Sequence, residues 1–156
     1  GELLQYQASK QIIIAYSFTP DIVSKEFEHK VPSLEKRLSA LGKLSDHGYP
    51  IGLRFDPLIY FKEYQKHYRQ LISQILQFTK PESIHSVSLG PLRFPKSIWQ
   101  KMQKLYPTDK LLNQNWQERS NHLSYPRAIE LEIYYFMRDQ LKKNFDEKII
   151  FSCFNF

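Results

Sequence analysis

Short apolar strands alternate with amphipathic helices along most of this chain, and this alternation restricts the folds that it can adopt. Runs rich in β-branched and aromatic residues recur about 35 residues apart, the length of a strand–helix–strand unit. The predicted strands are residues 11–17, 50–56, 84–89 and 148–154. This spacing indicates right-handed βαβ crossovers and a parallel sheet, and therefore an α/β protein. Two architectures fit: part of a barrel, or a small open parallel sheet with helices.

The stretches between these strands carry apolar residues at helical three- and four-residue steps. Ser33 is the predicted N-cap of the first helix, and Gly48 is expected to end it. A second helix ends before Pro81, a third begins at Pro95, and a fourth precedes the last strand. Residues 106–126 lack a clear period and predict a loop or hairpin. The first strand reads as buried on both faces.

The length of 156 residues predicts a single domain, 1–156, and 42% hydrophobic residues suffice for a packed core. No apolar run approaches the ~18 residues that span a bilayer, and no secretory leader is recognised. A single cysteine, Cys153, excludes an internal disulfide and fits a reducing compartment, so a cytoplasmic location is expected. Because Cys153 falls in the last apolar strand, its thiol is expected to be buried and inert.

The chain is basic, with 22 Lys and Arg against 16 Asp and Glu, a formal charge of +6. Such a balance favours polyanionic partners such as nucleic acid. The basic residues are dispersed, however, and pairs such as Lys101 and Lys104 have the spacing of a solvated helix face. Charge alone therefore permits a nucleic-acid partner without showing one.

Several familiar catalytic motifs are absent from the sequence. With five glycines there is neither GxGxxG nor a P-loop, and no GxSxG is present. The five histidines show no paired metal-ligand spacing. No catalytic or metal-binding residue is therefore predicted in this chain, which by motif is not a self-contained enzyme.

Polar residues at the carboxyl ends of the predicted strands mark the candidate site. In parallel α/β architectures, ligands bind at those ends. The residues are Ser17, Thr19, Arg54, Asp56, Ser88 and Arg93. Arg54 and Asp56 point to the same side of their strand, which suggests either a structural ion pair or polar contacts to a ribose.

Five sequence blocks, in order, resemble the spore photoproduct lyase family of radical S-adenosylmethionine DNA-repair enzymes. They are AYSFTP (15–20), HKVPSLEKRLSAL (29–41), GYPIGLRFDPLIY (48–60), YFKEYQKHYRQL (60–71) and SLGPLRFP (88–95). The resemblance extends from about residue 12 to residue 153. It implies that the chain is the C-terminal half of a partial (β/α)6 TIM-type barrel.

The resemblance also implies two cofactors, S-adenosylmethionine and a [4Fe–4S] cluster held by a CxxxCxxC motif. One cysteine cannot hold that cluster, so the isolated chain is expected to be inactive. The whole enzyme would reverse a UV-induced thymine lesion through a radical derived from the cofactor. Two alternatives stay open: a non-catalytic nucleic-acid-binding or assembly module, and a radical enzyme that acts on a small molecule.

The resemblance suggests cofactor contacts at Ser17, Asp56, Ser88 and Arg93. Ser17 matches a serine that binds the cofactor carboxylate in the family, which a hydroxyl donor can do at low steric cost. Arg93 could pair with a phosphate or carboxylate through its planar fork. Asp56 departs from the lyase itself, where the corresponding position is apolar.

DNA contacts are predicted from Arg119, Tyr125 and Arg127, which fall in a segment that corresponds to a family hairpin. The arginines would hold phosphates, and the tyrosine would stack on a flipped base. The expected partners are UV-damaged DNA and either a separate N-terminal half or a second copy of this chain, paired through exposed strand edges.

Overall fold

The computed structural model describes residues 2–28, 31–119 and 121–153. The strands are β1 Ile14–Ser17, β2 Ile51–Leu58, β3 Ile84–Pro91, β4 Arg93–Pro95, β5 Gln117–Arg119, β6 His122–Ser124 and β7 Ile150–Ser152. The helices are α1 Asp21–Phe27, α2 Leu34–Asp46, α3 Tyr64–Phe78, α4 Lys96–Leu105 and α5 Arg127–Leu141. Short 3₁₀ turns lie at Glu2–Gln5, Pro81–Ser83 and Glu147–Ile149.

A parallel sheet in the order β1-β2-β3-β7 forms the centre of the fold. The predicted α/β class is confirmed. Within the described ranges the strands follow one another in chain order, without the reversal that a doubly wound sheet shows. β1 is therefore an edge strand, and its residues alternate between half-buried and exposed. The expectation that this strand is buried on both faces is wrong, because Ala15 and Ser17, on the face opposite the helices, are exposed.

Helices cover one face of this sheet. Leu53 and Phe55 on β2 and Val87 and Leu89 on β3 have no exposed surface. They pack with apolar residues of α2, α3 and α5 in one core. Because strand side chains alternate between faces, the residues between them project from the opposite face of the sheet.

A small antiparallel sheet, β4-β6-β5, lies where β3 ends. β5 and β6 form the hairpin predicted within residues 106–126. α4 packs on β4 and β6, and a second apolar core joins this unit to the segments that follow β1 and β2. The carboxyl end of the central sheet therefore carries an additional rim.

The predicted helix boundaries have identifiable causes. The Ser33 side chain accepts a hydrogen bond from the backbone N–H of Lys36, and Gly48 has φ +102°, a conformation that suits glycine. α1 was not predicted, because it is only seven residues long and only two of them, Val23 and Ser24, are buried.

The end of the chain differs from expectation. The last strand covers only three residues, since a 3₁₀ turn precedes it, and position 154 of the predicted strand lies outside the described residues. Cys153 donates its backbone N–H to Leu89 O (2.8 Å), but the residue is exposed. The prediction of a buried thiol is wrong because Cys153 follows an edge strand. In the described part of the chain, no helix has the length and apolar character needed to span a membrane.

Candidate functional site

The face of the central sheet opposite the helices carries small and polar side chains. We call it the polar face. By strand alternation and register it consists of Ala15, Ser17, Gly52, Arg54, Asp56, Ser86, Ser88, Gly90 and Phe151. It brings three of the four predicted cofactor residues onto one surface.

Ser88 is the more deeply buried of the two buried serines on this face, Ser86 and Ser88. It lies between Arg54 and Phe151 in the strand register and is 1% exposed. Its Oγ has no hydrogen-bond partner among the described residues. A buried hydroxyl without a partner costs about 1–3 kcal/mol. Ser88 is thus a donor and acceptor available to a bound molecule.

Asp56 lies at the carboxyl end of the polar face, close to the backbone of β3. A Cβ atom on Gly90 would come within 2.8 Å of the Asp56 carboxyl carbon, so this position admits only glycine without displacing Asp56. Arg93 Nη2 lies 4.0 Å from Asp56 Oδ2, and both side chains are about one third exposed. Arg93, on β4 of the small antiparallel sheet, therefore lies beside Asp56.

Arg54 turns away from Asp56. Its Nη1 donates to Ser86 Oγ (3.1 Å) and to Leu53 O (3.2 Å), and its guanidinium lies over the Phe151 ring, 5.8 Å from the centroid. The sequence suggested either an ion pair between Arg54 and Asp56 or polar contacts to a ribose. The ion pair does not form, because each side chain has a different partner. Arg54 closes the amino end of the polar face.

Ser17 ends β1 with an exposed side chain. Thr19, the other polar residue at this strand end, is 5% exposed and donates to Glu28 Oε1 (2.5 Å). Thr19 is therefore occupied within the protein, whereas the Ser17 hydroxyl is open to a ligand.

Glu28 follows α1 and carries a shifted pKa. Burial raises the pKa of this carboxyl, but hydrogen bonds from Thr19 and Ser24 and the charge of Arg37 on α2 outweigh it, and the pKa is lowered overall. The ionised carboxylate therefore stabilises the fold. That contribution is complete above the pKa of the unfolded carboxyl, about 4.3, and is lost as the pH falls through the lower folded value.

Replacing Glu28 with Gln tests this assignment. We expect Glu28→Gln to lower the free energy of unfolding at pH 7 by about 1–3 kcal/mol, because charge-assisted hydrogen bonds are lost. The difference from the wild type should shrink as the pH is lowered from 5 to 3, since the wild-type carboxyl then takes up its proton. Urea titrations across that pH range measure it, and a difference that stays constant with pH would contradict the assignment.

The hairpin is held by a buried carboxylate that the sequence did not reveal. Glu130 on α5 is 2% exposed. It accepts from Arg119 Nη1 (2.5 Å) and from Ser124 Oγ, and Arg127 Nη1 lies 3.7 Å from it. The two arginines predicted to contact DNA are thus brought together by one carboxylate. The only feature of the sequence that could have indicated this role is an acidic residue on the apolar side of a predicted helix.

Tyr125 does not fit its predicted role. Its ring is 1% exposed and stacks on Trp116, with the centroids 4.7 Å apart, and its hydroxyl accepts from Tyr60 N–H (3.0 Å). Because the ring is enclosed by the second core, it has no free face for a flipped base. We therefore remove Tyr125 from the candidate DNA contacts.

The side chains do not fit an iron–sulfur cluster. Across the described ranges, no three His, Cys, Asp or Glu residues converge as a metal site. The sequence has one cysteine, whereas a cluster needs three or four thiolates. No reaction step through a cluster is assigned to this chain.

Comparisons with known proteins agree on one family. Residues 1–154 match the family profile described as Spore photoproduct lyase. The spore photoproduct lyase of Clostridium acetobutylicum is 26% identical over 111 residues, 71% of this chain and 33% of that protein. The Bacillus subtilis enzyme of the same name is 29% identical over 98 residues, 62% of this chain and 29% of that protein.

Solved structures show the same fold. A spore photoproduct lyase mutant with dinucleoside spore photoproduct superposes with a TM-score of 0.76 at 19% identity, covering 98% of this chain and 47% of that one. Another mutant, with bound AdoMet and the same dinucleoside, gives 0.74 at 19% identity, covering 92% and 44%. The chain spans less than half the length of each of these relatives.

Proposed function

Because the chain belongs to the spore photoproduct lyase family, we propose that it forms part of the cofactor pocket and DNA-facing rim of a radical S-adenosylmethionine DNA-repair enzyme. The whole enzyme would reverse a UV-induced thymine lesion. The observation that carries this proposal is the unpartnered, buried Ser88 hydroxyl on the polar face. A position that costs stability without serving the fold is typical of a binding site.

The central sheet supports the proposal that the chain is a single domain and forms half of a partial (β/α)6 barrel. Parallel strands in chain order, with helices over one face, are what a segment of such a barrel contains. The polar face would line the interior, and the carboxyl ends of β1, β2 and β3 would surround the ligand.

The residues at those strand ends suit S-adenosylmethionine. Hydroxyls of Ser17 and Ser88 can donate to the carboxylate of the cofactor, and Arg93 can pair with the same group through its fork. The Asp56 carboxylate can accept from ribose hydroxyls, and Gly90 leaves room for it. When bound in a complete enzyme of this class, the cofactor supplies hydrogen-atom abstraction. The residues of this chain bind and orient it.

Arg119 and Arg127 remain the candidate DNA contacts. Their side chains are 31% and 41% exposed although Glu130 holds both. Arg119 also donates from Nη2 to Tyr125 O (3.2 Å), so the exposed part of each guanidinium would attract a phosphate mainly through its charge. The net charge of +6 favours the same partner.

The open edge of β1 is the proposed surface for the remaining part of the enzyme. β1 pairs with β2 alone among the described strands. A groove of about 810 Å³ lies beside it, lined by apolar residues such as Leu3, Tyr16 and Leu44 and by polar and charged residues that include Glu35 and Lys43 of α2. We propose that an N-terminal half, or a second copy of this chain, pairs with this edge. The second candidate function is an assembly module without catalytic activity. The open edge of β1 favours it, because another chain can pair there.

Replacing Ser88 with Ala tests the cofactor site. We expect Ser88→Ala to leave the free energy of unfolding unchanged or to raise it by about 1 kcal/mol, because an unpartnered hydroxyl is removed. We also expect S-adenosylmethionine binding, measured by calorimetry, to weaken about tenfold through loss of one hydrogen bond to a charged group.

Ser86→Ala is the matched control, since Ser86 lies two residues earlier on the same face but is already bonded to Arg54. It should lower stability and leave binding intact. Wild-type affinity in Ser88→Ala, or a destabilised Ser88→Ala, would contradict the assignment of Ser88.

Gel-shift titrations separate the two candidate functions. A DNA-repair component should bind UV-irradiated duplex more tightly than undamaged duplex at both 50 mM and 200 mM salt. A purely electrostatic binder should show no preference for damage and should lose affinity steeply with salt. The absence of binding to either duplex would favour the assembly module.

A further inference from the structure

The peptide unit that joins Ser17 to Phe18 is held on both sides. Phe18 N–H donates to Arg54 O on β2 (2.9 Å). Ser17 O accepts from Arg37 Nη1 on α2 (3.2 Å). In a parallel strand the N–H and C=O groups of one peptide point to opposite sides. Arg37 therefore occupies the open edge of β1 at its last residue.

Arg37 is itself fixed by a hydrogen-bond network that involves β1, α1 and α2. Its Nη2 donates to Glu28 Oε2 and to Ser24 Oγ, both at 2.9 Å. Glu28 also accepts from Ser24 Oγ (2.7 Å) and Thr19 Oγ1 (2.5 Å). The Arg37 and Glu28 side chains are 13% and 25% exposed, so water screens this ion pair only in part.

Most polar atoms of the network are satisfied within the protein, except Arg37 Nε, which is buried and has no hydrogen-bond partner among the described residues. Both Glu28 oxygens accept from protein donors, and both terminal nitrogens of Arg37 have acceptors. Its one contact with the predicted cofactor residues is the carbonyl of Ser17. The effect of the network on the site must therefore pass through the backbone at the end of β1.

We propose that Arg37 and Glu28 are positioning residues, which fix the end of β1 so that Ser17 presents its hydroxyl at the cofactor site. This inference rests on the proposed function, because it assigns the same site a support within this chain. The orientation of Ser17 is then set before any further strand pairs with β1. The Arg37 contact also ends strand pairing at this edge, because it uses the carbonyl that a neighbouring strand would need.

The test combines amide exchange with a double-mutant cycle on the 156-residue chain. The network variant is Glu28→Gln with Arg37→Met, which removes the fork without leaving an unpaired charge. The control is Glu35→Gln with Lys43→Met, which likewise removes one acidic and one basic charge, at exposed positions of α2. We expect the Phe18 amide to exchange at least tenfold faster in the network variant relative to the Leu53 amide, and at the wild-type rate in the control.

Calorimetry with S-adenosylmethionine then shows whether the network acts through Ser17. We expect Ser17→Ala and the network variant each to weaken binding about tenfold, and their combination to weaken it hardly more than either alone. Such non-additivity is the signature of residues that act as a unit. A combined loss near a hundredfold, or an unchanged Phe18 exchange rate, would overturn the inference.

Failure of the proposed function would look different. If the wild type itself does not bind S-adenosylmethionine, the cofactor site is wrong and the positioning of Ser17 for it is overturned. Exchange at Phe18 would still establish whether Arg37 and Glu28 hold the end of β1.

Discussion

Glu130→Ala is expected to lower the free energy of unfolding by about 3–5 kcal/mol, the loss typical of breaking a buried ion pair. Glu130 is 2% exposed and holds Arg119, Arg127 and Ser124, which lie on the hairpin or at the start of α5. Without the carboxylate, Arg119 keeps its charge but loses the partner that offsets its desolvation. Urea denaturation measures the loss, and amide exchange at Leu123 should show it at the hairpin.

Glu118→Ala is the matched control, since Glu118 lies on the same hairpin and pairs with Lys96 at 2.7 Å while about half exposed. Exposed pairs contribute less than about 1 kcal/mol, so this variant should stay close to the wild type. Equal losses in the two variants would show that the burial of Glu130 is not what stabilises the hairpin.

The double variant Tyr68→Phe with Tyr125→Phe is expected to lower the free energy of unfolding by about 2–6 kcal/mol. The two hydroxyls accept from consecutive backbone N–H groups, those of Ile59 (2.8 Å) and Tyr60 (3.0 Å). Both rings are at most 1% exposed, so each substitution leaves a buried N–H without a partner, which costs about 1–3 kcal/mol. The affected segment connects β2 to α3 at the carboxyl end of the sheet.

Tyr106→Phe provides the control, because Tyr106 is 59% exposed and its hydroxyl remains accessible to water. It should change the free energy of unfolding by less than about 0.5 kcal/mol. Chemical denaturation of the two single variants and the double variant gives the contribution of each hydroxyl. A double variant as stable as the wild type would mean that water replaces both tyrosine hydroxyls as hydrogen-bond acceptors.

Several features of the fold could be predicted because they depend on local sequence. The helix between the first two strands has its cap at Ser33 and its end at Gly48, both set by neighbouring backbone groups. The hairpin within residues 106–126 was one of the two expected outcomes. α1 was missed because its seven residues, four of them polar, are too few to show a helical stripe.

Burial was predicted less well than secondary structure. The first strand and Cys153 both have apolar neighbours in sequence, yet β1 lies at one edge of the sheet and Cys153 follows the strand at the other edge. Tyr125 falls in a polar segment but is enclosed by Trp116 and the second core. Local composition does not show what packs against each face of a strand, and that packing decides the exposure of its side chains.

The side of the sheet on which Ser17, Asp56 and Ser88 lie follows from strand alternation and could be derived without coordinates. The partner that each polar group selects could not be derived in that way. Arg54 bonds to Ser86 instead of Asp56, Glu130 gathers two arginines, and Ser88 is left without a partner. These choices depend on the register between strands and on helices that pack from distant parts of the chain, and neither is encoded in the spacing of residues along one segment.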